Sequence, residues 1–510
     1  MKQKTESYWI STTQGTAYPE LKGDKVTVDV AIIGAGITGL TAAVLLKQAG
    51  KKVAVLERTR VATGESGHTT AHLTEIVDTR YYRIESRFGR EAARLVAGSS
   101  RAAIEKIAEL SERLEILCDF KRVPAYLYAE RLMDVWNANR EVHAAQRAGV
   151  RAAWTKDVPL HFQTRGALKV DNQARFHPRK YLLGLAAAVH GNGSGVFENT
   201  LVLELKEGEP CEVITANGRL RAKKLFVATN SPNSSPFLLQ AKVAAYRTYA
   251  LAARLQSPNP PPGLYWDMKD PYHYIRETDG AWIIGGEDHK TGESRDTDAH
   301  FRMLREYTTS QFGPVEFLNH WSGQIMEPAD GLPYMGQNPL SEHVYVATGF
   351  SGNGMTFGTA SGMLVSDMIL NKKNAWEPLY RPSRIKPITS SVTLISENKD
   401  YPIRMVKDRL EHLASTPASE FGIGEAHVVR WEGEAVAAYR DDTGKVHACS
   451  AVCPHMGCHV HFNNAEKSWD CPCHGSRFDV DGKVMNGPAM RNLSPVTAGE
   501  KPQKKRKTAA

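Results

Sequence analysis

Apolar positions along this chain follow two periods, and the changes between them mark out elements. Residues 26–33 form a nearly continuous β-branched run broken by Asp29, the pattern of a strand buried on both faces. Residues 40–49 carry apolar side chains at helical spacing, and residues 52–56 read as a second strand that ends at Glu57. Strand, helix and strand in succession predict a parallel βαβ unit. Two later runs, Leu225-Phe226-Val227-Ala228-Thr229-Asn230 and Val344-Tyr345-Val346-Ala347-Thr348-Gly349, are also strand-like; the second leads into a helical pattern reaching about residue 370. Residues 376–420 read instead as a linker. They hold Pro378, Pro382, Pro387 and Pro402, a Ser/Thr cluster at 389–393 and a short amphipathic piece at 405–413.

The first turn carries the chemistry. Gly34-Ala35-Gly36-Ile37-Thr38-Gly39 joins the first strand to the first helix. Gly34 permits the tight turn, Gly36 lets the backbone approach a pyrophosphate, and Gly39 lets helix and strand pack closely. The helix N-terminus then faces the phosphates, and Glu57 can accept the ribose hydroxyls. With strand, helix, strand and acid all present, the glycine triad points to a bound dinucleotide. No second complete unit of this kind follows, which argues against a separate NAD(P)H domain. The turn Phe350-Ser351-Gly352-Asn353-Gly354-Met355-Thr356 can aim a helix N-terminus at a flavin C2 carbonyl, with Gly349, Gly354 and Met355 as the contact residues.

Residues 7–372 resemble the D-amino-acid oxidase/glycine oxidase group of FAD oxidoreductases, and within it the γ-glutamylputrescine oxidase branch. The resemblance rests on Ser7-Tyr8-Trp9, Arg60-Val61-Ala62-Thr63-Gly64-Glu65-Ser66-Gly67, His177-Pro178, Glu198-Asn199-Thr200-Leu201-Val202, Trp321-Ser322-Gly323 and Asp330-Gly331-Leu332-Pro333. It implies FAD as cofactor, backbone contacts from Val202 to the adenine, and an antiparallel sheet at about 243–288 covering the flavin. It also implies that His68 stands where related dehydrogenases attach the flavin covalently, the alternatives being a noncovalent role for His68 or His72 as the ring neighbour. Where amino-acid oxidases of the group carry a carboxylate-binding Arg, this chain has Ile325, which favours an amine, or a substrate whose carboxylate binds elsewhere, over a simple α-amino acid. His72, Arg247 and Arg276 are the candidate catalytic residues.

The C-terminal region holds two boxes, Cys453-Pro454-His455-Met456-Gly457-Cys458 and Cys471-Pro472-Cys473-His474-Gly475-Ser476. Each offers one thiolate and one imidazole a few residues apart. A two-iron two-sulfur centre with Cys453 and Cys471 on one iron and His455 and His474 on the other requires that supply. Paired Cys and His also suit tetrahedral zinc, although zinc needs neither the Gly-Cys nor the His-Gly-Ser flanks. Together with Ser476-Arg477-Phe478-Asp479 and Gly487-Pro488-Ala489, the boxes resemble the Rieske domains of cytochrome bc-type complexes. That resemblance implies a Cys458–Cys473 disulfide and a Ser476 hydroxyl donating to the cluster. The family's Tyr is replaced by Phe478, which removes one donor and lowers the potential within a range of about −150 to +300 mV.

The expected architecture is an α/β Rossmann-type FAD-binding domain with an inserted antiparallel α+β substrate domain, plus a C-terminal all-β Rieske domain. Residues 1–375 make the oxidoreductase, with FAD-binding parts at about 25–80, 150–240 and 330–375 and substrate parts at about 81–149 and 241–329. The linker 376–420, a Rieske domain at 421–503 and a basic tail at 504–510 follow. The 510 residues leave room for two or three domains, and 42% apolar content suits a globular chain. No apolar run reaches a membrane span, and the first residues do not read as a signal peptide. The +8 formal charge is modest and sits partly in the tail, which argues against nucleic acid. Seven cysteines, with Cys118, Cys211 and Cys449 outside the boxes, suit a reducing compartment, so the expectation is cytoplasmic. The expected function is oxidation of an amine or amino-acid-like substrate, with electrons leaving through the cluster to a one-electron acceptor. The alternative is a redox sensor or electron-transfer module with a non-catalytic flavin domain. A Rieske oxygenase fits poorly, since those proteins lack the second cysteine of each box.

Overall fold

A computed structural model of the chain describes residues 4–231, 239–256, 259–384 and 421–496. Of the expected linker 376–420, residues 376–384 are described and hold the short helix Glu377–Tyr380, while 385–420, with the amphipathic piece, and the basic tail lie outside the described residues. The chain divides into two compact units, residues 1–289 with 299–394, and residues 290–298 with 395–510.

The first unit is built on two sheets. In the eight-stranded sheet the order is Tyr334–Gln337, Val344–Thr348, Gly218–Val227, Gly23–Ile33, Val53–Leu56, Gly195–Phe197, with a Val202–Lys206/Cys211–Thr215 hairpin attached. Gly23–Ile33 pairs in parallel with both neighbours, Ile33 opposite Val227 on one side and Leu56 on the other. Its inner residues Val30, Ala31 and Ile32 are fully buried, which is why the run is apolar at successive positions rather than alternate ones. Helices Ile37–Gln48 and Gly354–Ile369 lie against each other, and glycine permits the approach. A Cβ at Gly358 would stand 2.6 Å from Ile37 Cγ2, and one at Gly362 2.8 Å from Thr41 Cβ.

The nine-stranded sheet runs Val315–Pro328, Val243–Leu255, Ala281–Lys290, Tyr274–Thr278, Leu264–Trp266, Lys121–Ala129, Gly166–Arg175, His72–Leu73, with Ala152–Thr155 paired to Gly166–Arg175. Two sequence boundaries are corrected here. Ala152–Thr155 and Gly166–Arg175 belong to this sheet and not to the FAD-binding part assigned to 150–240, because Gly166–Arg175 pairs along its length with Lys121–Ala129. Residues 290–298, expected inside the substrate domain, group with the second unit. There Thr297 Oγ1 lies 2.7 Å from both Asn463 Oδ1 and Asn464 Oδ1, and Asn464 Nδ2 donates to Asp298 at 2.9 Å.

Residues 421–496 of the second unit hold strands and turns and no helix. Ala426–Trp431, Glu434–Arg440 and Val446–Ser450 form one antiparallel sheet; His461–Asn463, Ser468–Asp470, Arg477–Asp479 and Val484–Asn486 form another. The first hairpin turns on Glu432 and Gly433, both at positive φ (48° and 85°), the geometry of a two-residue primed turn. Trp469 and Phe478 face each other across the second sheet and are fully buried with Cys449 and Val460. No helix among the described residues is long and apolar enough to cross a membrane.

An ion pair closes the second sheet. Buried Arg477 donates from Nε to Asp470 at 2.9 Å and from Nη2 to Glu466 at 2.9 Å and Ser468 at 2.8 Å. Arg477→Ala leaves the Asp470 carboxylate buried without its cation, and the expected loss is about 3–5 kcal/mol. Urea unfolding followed through the visible absorbance of the cluster measures it; an unchanged midpoint would show that the pair does not hold the sheet together.

Candidate functional site: a flavin cleft and a two-loop metal centre

The glycine turn is as tight as its sequence demands. Gly34 adopts φ +108°, and a Cβ there would lie 2.6 Å from Ala228 O. A Cβ at Gly36 would stand 2.8 Å from Ser66 Oγ, and one at Gly39 2.0 Å from Gly34 O. Glu57, just past its strand, accepts the Ala35 N–H at 2.9 Å through Oε2 and the Thr59 N–H at 3.0 Å through Oε1. The carboxylate therefore braces the turn and keeps lone pairs for further donors. Asn199 and Thr200 pin this end of the sheet, their N–H groups donating to Thr59 O and Glu57 O at 2.7 and 2.8 Å. Val202 follows at the start of its own strand.

The recurring short motifs converge on the segment 64–70. Ser7 Oγ donates to Gly67 O at 2.6 Å, Trp9 Nε1 to Thr69 O at 2.6 Å, and Trp321 Nε1 to His68 O at 2.8 Å. Glu198 receives the Val61 N–H at 2.8 Å and the Tyr18 N–H at 3.0 Å. Asp330 holds Arg384 through two hydrogen bonds, at 2.7 and 2.9 Å, with the guanidinium 3.9 Å over the Tyr334 ring. These residues shape the cleft without lining it.

The cleft itself holds a cavity of about 140 Å³. Gly36, Ile37, His68 and Met355 line one part, with Gly354 at the start of its helix; Thr248, Trp266, Tyr274 and Asp288 line it from the nine-stranded sheet, and Tyr272 from the loop before Tyr274–Thr278. Ile325 stands on its wall, so the position where related oxidases carry an arginine is apolar and faces the cavity. Gly349, at φ +78°, is not a lining residue and packs near Pro328.

The three catalytic candidates separate. His72 lines the cavity edge-on to Trp266, its ring centroid 5.6 Å away. Burial, helped by the Arg276 charge, pushes its pKa down to about 3, so the imidazole is neutral. Arg247 and Arg276 are corrected: neither lines the cavity. Arg276 is buried and donates to Ala71 O at 2.7 Å and Phe176 O at 3.1 Å; Arg247 is buried and donates to Ser322. Arg247 alternates with the lining residue Thr248, while Arg276 shares the face of Tyr274 and lies beyond the void. Sequence reasoning missed Asp78, Trp266, Tyr272, Tyr274 and Asp288. They come from separate stretches of the chain, and no local pattern joins them.

In the second unit the two boxes fold alike. Cys453 N–H donates to Cys458 O at 2.8 Å and Gly457 N–H to Cys453 O at 2.9 Å. In the other loop Cys471 N–H donates to Ser476 O at 2.7 Å and Gly475 N–H to Cys471 O at 3.0 Å. Gly457 and Gly475 both take the left-handed conformation, φ +79° and +73°, which explains a glycine four residues after each first cysteine. Cys458 and Cys473 are joined by a disulfide. The sulfurs of Cys458, Cys471 and Cys473 lie within 4.8 Å of one another, but the bond removes two of them as thiolate ligands.

The remaining donors suit a mixed Cys/His centre. Cys453 and Cys471 are buried, and the His455 and His474 rings lie 4.9 Å apart. Cys453 is drawn toward thiolate by hydrogen bonds from Cys471, from the His455 and Met456 N–H groups and from Ser476. Burial lowers His455, and with the His455 charge and Lys290 it takes His474 to about 4, so both rings are neutral and have a nitrogen lone pair to offer. Ser476 Oγ accepts the Ala489 N–H at 3.0 Å, which leaves its own proton for a sulfur. Phe478 is fully buried.

A dinucleotide cleft on a parallel sheet beside an antiparallel substrate sheet, in one chain with a two-loop Cys/His centre, defines a flavoprotein with an iron–sulfur domain. The chain belongs to the FAD dependent oxidoreductase family, whose model matches residues 29–368, and a Rieske [2Fe-2S] domain matches residues 412–497. Its cofactors are FAD and a [2Fe-2S] cluster. YhfW of Bacillus subtilis, named for a Rieske 2Fe-2S iron-sulfur protein, is 34% identical over 97% of this chain and 98% of its own length. The gamma-glutamylputrescine oxidoreductase of Escherichia coli is 26% identical over 72% of this chain and 90% of its own. Among solved structures, glycine oxidase from Geobacillus kaustophilus matches 71% of this chain and all of its own with TM-score 0.60 at 20% identity, which shows the shared fold.

The Ser476 arrangement is testable. Ser476→Ala removes a donor to Cys453 and should lower the midpoint potential of the cluster, as read by an EPR-monitored redox titration. An unchanged or raised potential would mean that the hydroxyl bonds elsewhere.

Proposed function

We propose that this protein is a dehydrogenase that oxidises an amine next to nitrogen in the flavin cleft and sends the electrons through its Rieske centre to a one-electron acceptor. The observation that carries the substrate class is the cavity wall. Ile325 faces the void, and no lysine or arginine lines it among the described residues, so nothing there would grip an α-carboxylate. Relatives named gamma-glutamylputrescine oxidoreductase and glycine oxidase, both named for compounds that carry an amino group, support a C–N substrate.

In this reading Gly34, Gly36, Gly39, Glu57, His68, Val202, Gly349, Gly354 and Met355 hold FAD, and Cys453, His455, Cys471 and His474 hold the cluster. When bound, FAD takes up the two electrons of a substrate hydride and the cluster carries electrons singly. The chain's own residues do the rest. Gly36 and the N-terminus of helix Ile37–Gln48 offer backbone N–H groups to phosphate oxygens. The N-terminus of helix Gly354–Ile369 presents its partial positive charge to the cleft. His72 stays neutral and adds no cation to the substrate side. Trp266, Tyr272 and Tyr274 supply an aromatic wall that excludes water from the cleft.

Two sites in one chain give a discriminating test. His474→Ala removes a cluster ligand in a part of the sequence far from the flavin residues. Turnover with a one-electron acceptor should fall at least about tenfold, a barrier increase of about 1.4 kcal/mol, while anaerobic bleaching of the flavin by substrate persists. A variant as fast as the parent with every acceptor would remove the cluster from the electron route and favour a sensing role.

A further inference from the structure

The cavity wall carries charge of one sign. Three carboxylates line it, Glu65, Asp78 and Asp288, and no lysine or arginine does so among the described residues. Glu65 is engaged by the Gln324 N–H at 2.5 Å. Asp78 is in part a positioning group: its Oδ2 accepts the Gly352 N–H at 2.6 Å and its Oδ1 lies 3.4 Å from the Tyr272 hydroxyl. Asp288 is different. Its Oδ1 is shielded from solvent and has no hydrogen-bond partner among the described residues. Burial raises the Asp288 pKa to about 7, with the nearby Asp78 charge adding to the rise and the Thr248 hydroxyl opposing it. Asp78 is raised by burial as well. A carboxylate oxygen in such a setting is costly unless an arriving group supplies a donor and a positive charge.

The aromatic residues around the acids favour the same kind of guest. Tyr272 and Tyr274 lie with ring centroids 5.7 Å apart, Trp266 lines the same cavity, and the Tyr274 hydroxyl is tied to Thr248 Oγ1 at 2.5 Å. Electron-rich ring faces attract organic cations.

The reacting nitrogen does not meet this description. Loss of a hydride from the neighbouring carbon needs a free nitrogen lone pair, and a carboxylate beside that nitrogen would hold its proton in place. An anionic subsite therefore suits a nitrogen that stays protonated throughout. We propose that Asp78 and Asp288, enclosed by Trp266, Tyr272 and Tyr274, form a subsite for the second, non-reacting ammonium of a diamine or polyamine substrate. In the reaction the carbon next to the other nitrogen gives a hydride to FAD, and that nitrogen loses a proton to form an imine. The distal ammonium keeps all its bonds. The proposal rests on the amine-oxidation reading, and its test separates the two.

The FAD-loaded full chain is titrated with diaminoalkanes of three to six carbons and with n-alkylamines of matching length. Perturbation of the oxidised flavin spectrum reports binding, and anaerobic bleaching reports reduction. The expected result is that a diamine binds at least about tenfold tighter than its monoamine, the scale of one charge-assisted hydrogen bond. Asp288→Asn and Asp78→Asn, each first checked for parental FAD content, should bring that ratio toward one. Equal binding of diamine and monoamine by the parent overturns the subsite, and so does a parental ratio kept in both FAD-loaded variants. If a variant loses FAD, the parental ratio alone decides. Monoamines that bleach the flavin with no diamine preference would sink the subsite and leave amine oxidation standing. A diamine preference in binding with no bleaching by any amine would uphold the subsite and sink the oxidation reading.

Discussion

The flavin unit depends on parallel pairing at the centre of its first sheet. Because Gly23–Ile33 lies in parallel between Gly218–Val227 and Val53–Leu56, and Gly218–Val227 is parallel to Val344–Thr348, four chain segments leave the sheet at one edge. These are the Gly34 turn, Glu57, the 228–230 turn and the loop leading to Gly354. Ligands of open parallel sheets collect at the carboxyl ends of the strands for this reason. The cost is steric: a Cβ at Gly39 would stand 2.0 Å from Gly34 O, and the sequence meets that with glycine. The Ala35–Glu57 and Thr200–Glu57 hydrogen bonds then tie the Gly34 turn and Glu57 to each other and to the segment that follows Gly195–Phe197.

The second unit solves a related problem with much less chain. Two loops must present sulfur and nitrogen toward a common point, and each does so by the same pair of backbone hydrogen bonds around a left-handed glycine. The disulfide joins the loops directly, while Arg477 ties the strand entering the second loop to the strand leaving it. Cys453 and Cys471 are buried and the two histidines half-buried, so the sulfur side is shielded from water and the nitrogen side lies nearer the surface. Backbone N–H groups around the sulfurs offer fixed partial positive charge to added electrons, a standard lever on iron–sulfur potential.

Charge in the two sites is handled in opposite ways. Around Cys453, donors converge on an acceptor. In the flavin cleft the Thr248 hydroxyl reaches Asp288, but Asp288 Oδ1 is an acceptor with no donor among the described residues. Arg247 and Arg276 do not change this, because neither lines the cavity: Arg276 donates to the Ala71 and Phe176 carbonyls and Arg247 to Ser322. A cavity with acids, aromatic faces and no cation is selective by electrostatics before any shape is considered.

Much of this was legible in the residues alone, for reasons that are local. The Gly34–Gly39 turn, Glu57 and the two Cys/His boxes are short-range patterns in which backbone geometry and ligand number dictate residue type at fixed spacing. The β-branched run at 26–33 marked a strand covered on both faces, and Ile325 marked a missing carboxylate clamp. Other features had no such signature. Gly166–Arg175 joins the substrate sheet because Lys121–Ala129 offers it a partner edge, and a strand's pairing partner is not written in its own residues. Arg247 takes the face opposite its lining neighbour Thr248, because each residue along a strand reverses the side chain, whereas Arg276 shares the face of Tyr274 and stands beyond the cavity, held by Ala71 O and Phe176 O. Asp78, Trp266, Tyr272, Tyr274 and Asp288 become one wall only when segments about two hundred residues apart fold together. Cofactor chemistry was set by sequence-local geometry; the lining of the substrate cavity was decided by tertiary structure, because it is assembled from side chains that no local spacing relates.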